Sequence, residues 1–252
     1  MTGSEPAGIC PSCEGRGPVG DACEEGVCAR RGYHFVPAEH LDGELPDPLV
    51  GLLVDDFLVV ERIGAGAFGR VYLGLQLPVG IRVAIKLIAS DRLPDVLAES
   101  VRRRFEDEAR ALSRLQHPNV VRLFKFGRLY DRPYLVMEYV EGATTLADAA
   151  RRRESRGERF APGELGAMLD QLLDGLGAAH DRGIIHRDVK PENLMLQSLS
   201  GRPPLVRILD FGLAKFFEGS GETRQTSGTP DYMAPEQLKM TGLGPWTDLY
   251  AV

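Results

Sequence analysis

Strand-like alternation begins abruptly at Phe57 and continues through three segments. Residues 57–60 form a short apolar run, and in residues 70–75 and 81–88 the large apolar side chains recur at every second position. A period of two is typical of β-strands that place one face in a core. The pattern therefore predicts three consecutive strands at the start of a folded region.

Helical periodicity follows these strands in two places. A first stripe contains Val101, Phe105, Ala109 and Leu112. A longer helix is predicted near residues 162–181, where six apolar residues recur at intervals of three and four. These six are Leu165, Met168, Leu169, Leu172, Leu173 and Leu176.

Two further strands are predicted between the two helices. Residues 120–126 and 134–140 are rich in β-branched and aromatic side chains, and residues 127–132 contain turn-forming Gly127. The predicted order is a β-rich part with one helix, followed by a helix-rich part. This order indicates an α+β fold.

The segment before Phe57 has a different character. Residues 36–55 contain Pro37, Pro46 and Pro48 together with several acidic residues, which is typical of a linker. We therefore expect a small module at residues 1–35, a linker at 36–55 and a larger domain at 56–252.

The overall composition is that of a globular protein. The 252 residues are 43% hydrophobic and 26% charged, which excludes a fully disordered, collagen-like or coiled-coil chain. No apolar run reaches the roughly 18–20 residues that a bilayer span needs, and the first residues lack a signal-peptide pattern. The sequence therefore predicts a cytoplasmic protein without a transmembrane segment.

Charge is distributed unevenly along the chain. Residues 1–56 contain 3 basic and 11 acidic residues, whereas residues 57–252 contain 27 basic and 25 acidic residues. An acidic N-terminal part is the opposite of a basic arm that binds nucleic acid. We therefore expect no nucleic-acid partner.

All four cysteines fall within the first 28 residues, in two close pairs. Two residues separate Cys10 from Cys13, and four separate Cys23 from Cys28. Without an export signal, a disulfide framework is not favoured, and the spacing suits a tetrahedral zinc site with four thiolate ligands. Four reduced cysteines without a ligand are the alternative.

The first chemical motif is a glycine-rich turn. Gly64, Gly66 and Gly69 form the pattern G-x-G-x-x-G, followed by Val71. Glycines allow backbone amides to approach phosphate oxygens closely. A dinucleotide-binding Rossmann turn has the same spacing but requires a helix directly afterwards, and here a predicted strand follows.

The next predicted strand adds Val83-Ala84-Ile85-Lys86. The period of two places Ala84 and Lys86 on one face, where the small side chain leaves room for a flat base and the ammonium group reaches phosphates. The alternative is an ordinary exposed strand lysine.

Three more motifs complete a known set. His186-Arg187-Asp188 is followed by Asn193 after four residues, and Asp210-Phe211-Gly212 and Ala234-Pro235-Glu236 come next. With the glycine-rich turn and Lys86, these motifs resemble the eukaryotic-type serine/threonine protein kinase family in order and spacing. The resemblance covers residues 57–252 and implies a two-lobe fold, with a β-rich N-lobe at 56–140 and a helical C-lobe at 141–252.

The resemblance implies a role for each matching residue. Asp188 would accept the hydroxyl proton of the substrate, with Lys190, Asn193 and Lys86 as the other catalytic residues. Asn193 and Asp210 would hold magnesium, and Glu108 would pair with Lys86, with Glu106 as an alternative. The residues placed around ATP are Ile63, Gly64, Ala65, Gly66, Gly69, Val71, Ala84, Lys86, Glu108, Met137, Glu138, Val140, Asn193 and Asp210.

Other positions of the resemblance concern specificity and control. Lys190 and the stretch around Thr229 match the serine/threonine-specific subset, whose substrates are protein hydroxyls. Activation by phosphorylation is expected between Asp210 and Glu236. The regulatory candidates are Thr223, Thr226 and Ser227, with Arg187 as the clamp for the added phosphate.

The resemblance stops before the kinase domain of the family would end. The chain reaches Trp246–Val252, which resembles the start of the central helix of the C-lobe, and Asp248 matches the residue that braces the catalytic loop. We therefore expect an N-terminal piece with a truncated C-lobe. Its own stability and activity are expected to be poor, because the apolar stripe of the 162–181 helix lacks its partner.

Three functional hypotheses follow. The first is a serine/threonine kinase with a zinc-ribbon-like module in front, which has its own protein partner. The second is a catalytically impaired kinase-like module that binds ATP. The third is a zinc-ribbon interaction protein with a degenerate kinase-like part.

Overall fold

We describe the protein from a computed structural model over residues 7–41, 47–66, 69–89, 95–130, 132–212, 230–239 and 242–252. The chain divides into two compact units. The N-terminal unit comprises Met1–Ala89 and Gly127–Tyr139, and the C-terminal unit comprises Ser90–Phe126 and Val140–Val252.

The N-terminal unit contains two sheets. The smaller sheet has the order β2-β1-β3, formed by β1 (Ala7–Ile9), β2 (Arg16–Pro18) and β3 (Val36–Pro37), beside helix α1 (Gly26–Arg31). The larger sheet has the order β4-β5-β6-β7-β9-β8. Its strands are β4 (Leu53–Val54), β5 (Phe57–Gly66), β6 (Gly69–Gln76), β7 (Ile81–Ile88), β8 (Leu123–Leu129) and β9 (Arg132–Glu138).

The three strands predicted from alternation are confirmed as β5, β6 and β7. Their antiparallel register places Tyr72 opposite Ile85 and Val71 opposite Lys86. Because cross-strand partners share a face, the sheet has a Tyr72 face and a Lys86 face. The Tyr72 face also carries Val83, Leu87, Tyr134 and Val136, all of which are buried.

The segment expected to be a linker packs against the Tyr72 face. Val36, Val50 and Val54 are buried in the same apolar cluster as Tyr72 and Ile85. The amide of Gly51 donates to the carbonyl of Val59 at 2.8 Å. The described part of residues 36–55 therefore covers the sheet instead of acting as a free spacer, because its three valines are buried against that face.

The C-terminal unit is built from helices around a small sheet. Its helices are α2 (Asp95–Ser113), α3 (Leu146–Glu154), α4 (Pro162–His180), α5 (Pro235–Lys239) and α6 (Pro245–Tyr250). Strands β10 (Ala143–Thr145), β11 (Leu194–Leu199) and β12 (Arg202–Ile208) form an antiparallel sheet in that order. Helix α4 packs on β12 at Gly175, where a Cβ would lie 2.6 Å from the Ile208 side chain.

Helix α4 confirms the predicted 162–181 helix, but its six apolar residues form two stripes. Met168, Leu172 and Leu176 are buried. Leu165, Leu169 and Leu173 are 48%, 40% and 39% exposed. Half of the six apolar residues predicted for this helix are therefore partly exposed to solvent among the described residues.

Several predicted boundaries are wrong. The strand predicted at 120–126 begins only at Leu123, because Val120 and Val121 pair with Ile208 of β12 instead. The turn predicted at 127–132 is shorter, since β8 continues to Leu129 and β9 begins at Arg132. The strand predicted to reach Val140 ends at Glu138.

Candidate active site and cysteine cluster

The glycine-rich residues lie at the closed end of the β5–β6 hairpin. Gly64 pairs with Val71, and Gly66 pairs with Gly69 at the last described position of each strand. Gly69 has a φ of +134°, and a Cβ there would lie 1.9 Å from the carbonyl oxygen of Leu87. Only glycine fits this position, because the neighbouring strand β7 occupies the space of a side chain.

The requirement for glycine at position 69 gives a first prediction. We expect Gly69→Ala to lower the free energy of unfolding by about 2–4 kcal/mol, since both the φ angle and the contact with Leu87 must change. Gly66→Ala is the control, because no described residue other than its chain neighbours lies within 4 Å of its Cβ position. Urea unfolding of both variants is the measurement, and equal stabilities would contradict this account of the hairpin.

Three nucleotide candidates of the N-terminal unit, Val71, Ala84 and Met137, share one face of the sheet with Lys86. Val71 lies opposite Lys86, and Ala84 lies opposite Met137. Lys86 is only 6% exposed. Ile63 and Ala65 belong to β5 and Glu138 ends β9, whereas buried Val140 belongs to the C-terminal unit.

The buried carboxylate of Asp248 holds the loop after α4 by hydrogen bonds to its backbone. Asp248 accepts hydrogen bonds from the backbone amides of His186 at 2.8 Å and Arg187 at 2.7 Å. Its carboxylate also lies 2.7 Å from Nε2 of His180. These contacts confirm the bracing contact expected of Asp248, and they hold Arg187 at a φ of +67°.

His186 connects this loop to the segment after β12. Its Nε2 donates to the carbonyl of Leu209 at 2.6 Å, and its ring centroid lies 4.7 Å from that of Phe211. Its Nδ1 accepts from the amide of Asp188 at 3.2 Å, which requires this nitrogen to carry no proton, and burial lowers the pKa of His186 in the same sense. The histidine is therefore a structural support.

Lys190 and Asn193 both contact the carboxylate of Asp188. The side-chain nitrogen of Asn193, Nδ2, donates to the backbone oxygen of Asp188 at 2.8 Å and to Oδ2 of Asp188 at 2.9 Å. Nζ of Lys190 lies 3.0 Å from the same Oδ2. The side chain of Asp188 is thereby fixed by two donors that the family resemblance had placed in the same site.

Asp210 lies two residues after the end of β12 and adopts a φ of +54°. The amide of Leu209 donates to the carbonyl of Asn193 at 2.8 Å, which ties the Asp210 segment to the loop that carries Asp188. Carboxylate and amide oxygens are hard donors of the kind that Mg²⁺ prefers. The donor set of Asp210 and Asn193 therefore fits the expected magnesium ions.

Glu108 has a partner that the sequence did not suggest. Its carboxylate lies 2.5 Å from Nη2 of Arg187, within the C-terminal unit. Burial raises the pKa of Glu108, although the Arg187 guanidinium opposes this shift. The pairing of Glu108 with Lys86 stays a prediction.

Residues near the end of the chain also contact the loop that carries Asp188. Gln237 Nε2 donates to the backbone oxygen of Arg187 at 2.8 Å, and the Thr247 hydroxyl donates to Glu236 at 2.8 Å. A cavity beside them is lined by Asp188, Lys190 and Met233, among others. Nothing in the local sequence around Gln237 indicated its contact, because the two partners are 50 residues apart.

The four cysteines form one cluster in the N-terminal unit. Their Sγ atoms all lie within 4.8 Å of one another, and those of Cys13 and Cys23 are 3.6 Å apart. A tetrahedral site with zinc–sulfur bonds of about 2.3 Å has sulfur–sulfur edges of about 3.8 Å. The four thiols, which form no disulfide, therefore fit a metal ion.

Burial distinguishes the members of this cluster. Cys10, Cys23 and Cys28 are buried with Tyr33, whereas Cys13 is exposed. Burial raises the pKa of the Cys23 thiol to about 12. Ligation to a cation is what deprotonates a thiol in such a place.

The remaining predicted site residues are outside the description. Thr223, Thr226 and Ser227 lie outside the described residues, as does Thr229. Among the described helices, none is long and apolar enough to cross a membrane.

A family model described as "Protein kinase domain" matches residues 57–252. The chain is 39% identical to serine/threonine-protein kinase Pkn1 of Myxococcus xanthus over 214 residues, which cover 83% of this chain and 29% of the relative. It is 41% identical to pkn2 of the same organism over 212 residues, covering 82% and 24%. The chain thus spans about a quarter to a third of the length of these curated relatives.

Solved structures give the same comparison in three dimensions. A crystal structure of the Mycobacterium tuberculosis PknI kinase domain matches with a TM-score of 0.63 and 26% identity. The match covers 80% of this chain and 73% of that chain. The two-lobe α+β fold predicted from the motifs is confirmed.

Proposed function

This chain belongs to the protein kinase family, and from that premise we propose that it transfers the γ-phosphoryl group of ATP to serine and threonine hydroxyls of proteins. The observation that carries the proposal is the catalytic loop, where Lys190 and Asn193 both contact the carboxylate of Asp188. A fixed carboxylate beside an ammonium group suits a reaction that depends on positioning and charge neutralisation.

The proposed roles follow from these positions. Asp188 accepts the proton of the attacking hydroxyl and orients it, and Lys190 neutralises charge on the transferring group. Asn193 and Asp210 hold magnesium, which when bound neutralises charge on the β- and γ-phosphates. Lys86 contacts the α- and β-phosphates from its strand, and Glu108 pairs with Lys86 in the active state.

The glycine-rich hairpin supplies the phosphate cover in this proposal. Gly64, Gly66 and Gly69 expose backbone amides at the end of β5 and β6, with Ile63, Ala65 and Val71 beside them. Ala84 and Met137, which are cross-strand partners on the Lys86 face, line the base site. Glu138 and Val140 bind the base edge through the backbone.

The experiment that tests the proposal separates it from its two alternatives. The natural protein carrying this sequence is titrated with ATP and magnesium by calorimetry and then incubated with γ-labelled ATP and a serine- and threonine-rich protein. Binding with label transfer supports a kinase. Binding without transfer indicates an impaired ATP-binding module, and zinc binding without nucleotide binding indicates an interaction protein.

We propose that Cys10, Cys13, Cys23 and Cys28 hold one structural zinc ion. The support is their mutual distance and the burial of three of the four thiols. The module formed by residues 1–35 is acidic, so its partner in this proposal is a protein and not a nucleic acid. The boundaries of this module and the cytoplasmic location stay predictions.

Regulation gives a second prediction. We expect phosphorylation of Thr226, and secondarily of Thr223 or Ser227, to raise activity at least about tenfold, because the added charge competes with Glu108 for Arg187. The support is the ion pair between Glu108 and Arg187. Mass spectrometry after incubation with ATP and magnesium identifies the modified sites. Modification confined to residues outside 210–236 would leave the proposal without support.

A further inference from the structure

Asp47 is a buried carboxylate in the segment that precedes β4. Its side chain is 4% exposed. One oxygen, Oδ2, accepts from Nη1 of Arg62 at 3.2 Å and of Arg70 at 3.4 Å. The other, Oδ1, accepts from the hydroxyl of Tyr72 at 3.2 Å and from the amide of Leu49 at 3.2 Å. The carboxylate of Asp47 thus accepts hydrogen bonds from residues of β5 and β6 and from its own loop.

The three strand residues lie within or next to the glycine-rich end of the hairpin. Arg62 of β5 is directly opposite Tyr72 of β6. Arg70 lies two residues before Tyr72 on the same face, and it directly follows Gly69. Asp47 therefore joins β5 to β6 on the Tyr72 face, whereas Val71 and Lys86 point to the opposite face.

The backbone around Asp47 is held in place by the residues that follow it in the chain. The amide of Val50 donates to the backbone oxygen of Asp47 at 2.8 Å, and Val50 is buried in the apolar cluster of the sheet. The amide of Val59 in β5 donates to Leu52 at 2.9 Å. A carboxylate held in this way fixes the two strands relative to each other.

We propose that Asp47 is a positioning residue for the nucleotide phosphates. This inference rests on the proposed function, in which the amides near Gly64, Gly66 and Gly69 cover those phosphates. Three glycines leave the hairpin end with many conformations, and ordering them on binding lowers affinity. By joining β5 to β6, Asp47 orders the hairpin before ATP arrives.

If Asp47 acted only through its charge, its removal would strengthen the binding of ATP instead of weakening it. Removing the negative charge of Asp47 leaves Arg62 and Arg70 without this counter-charge, which increases attraction for the phosphates of ATP. A positioning role predicts weaker ATP binding after the same change. Adenosine, which lacks phosphates, reports on the base site without the hairpin.

The test compares two ligands on the natural protein by calorimetry: adenosine, and a non-hydrolysable ATP analogue with magnesium. For Asp47→Asn we expect about tenfold weaker binding of the ATP analogue and adenosine affinity within about twofold of the unchanged protein. Tyr72→Phe removes one of the bonds without changing charge, and we expect about threefold weaker binding of the analogue. This variant keeps the test valid where Asp47→Asn folds poorly.

Asp56→Asn is the matched control, because Asp56 contacts Gln76 at the other end of the same two strands. We expect it to leave both affinities unchanged. The inference is overturned if Asp47→Asn and Tyr72→Phe bind the ATP analogue as well as the unchanged protein, or if they weaken both ligands equally. A protein that binds adenosine but not the analogue, before any substitution, refutes the proposed function and the inference together.

Discussion

Replacing Asp188 with asparagine is expected to lower the rate of phosphoryl transfer about a thousandfold. The substitution keeps the size of the side chain but removes the group that accepts the hydroxyl proton. Lys190 and Asn193, which lie 3.0 and 2.9 Å from Oδ2 of Asp188, retain an oxygen to contact. We therefore expect the affinity for ATP to stay within about threefold, because nucleotide binding depends on other residues.

The measurement is steady-state transfer from labelled ATP, with nucleotide affinity determined separately. Asp181→Asn is the control, since it makes the same chemical change on an exposed residue at the end of α4. Transfer by Asp188→Asn at the rate of the unchanged protein would remove Asp188 from the mechanism. An equal loss in the control would indicate a general effect of charge.

Replacing Cys10 and Cys28 with serine together is expected to abolish zinc binding and to lower the melting temperature by about 10 °C. The cluster around these thiols contains only Cys10, Cys23, Cys28 and Tyr33 as buried residues within the described part of the chain. So small a core supplies little folding energy, and in the proposed site metal ligation supplies the rest. We expect the loss of stability to extend to the large sheet. The amide of His34 donates to the carbonyl of Gly51 at 2.7 Å, and the amide of Gly51 donates to the carbonyl of Val59 in β5.

Metal analysis after purification under reducing conditions checks the zinc content, and thermal unfolding checks the stability. Cys13→His is the matched variant, because Cys13 is exposed and histidine is also a zinc ligand. We expect it to retain one zinc ion per chain. Protein without zinc before substitution, or full zinc content after the double substitution, would contradict the proposed site.

The motif resemblance predicts well which side chains meet in the loop of Asp188. Residues 186–193 are local in sequence, so the type and order of residues indicate which side chains share the loop. The ion pair between Glu108 and Arg187 joins residues 79 apart, and no local pattern indicates it. The same holds for Gln237 and for Asp47, whose partners belong to distant elements.

Periodicity predicts long elements and misses short or polar ones. Strands β5 to β7 and helix α4 were predictable from alternation and from the three-to-four spacing of apolar residues. Helix α3 was not, because it buries no residue and depends on the cap in which Thr145 accepts from the amide of Asp148 at 3.0 Å. Strands β3 and β4 have two residues each, which is too short for any period.

The segment 36–55 shows why proline content alone predicts packing poorly. Pro37 ends β3, and Pro48 accepts a hydrogen bond from Tyr33 at 3.4 Å. Between and around these prolines, Val36, Val50 and Val54 find a place on the Tyr72 face. That face was visible in the alternation of β6 and β7, but the sequence did not indicate which residues cover it.

Phosphoamino-acid analysis of the product formed with γ-labelled ATP tests the central claim most directly. The natural protein carrying this sequence is incubated with magnesium, labelled ATP and a serine- and threonine-rich protein, and the labelled protein is hydrolysed in acid. The account predicts magnesium-dependent label in phosphoserine and phosphothreonine, which disappears in Asp188→Asn. Label in phosphotyrosine, or label released only as inorganic phosphate, would contradict it.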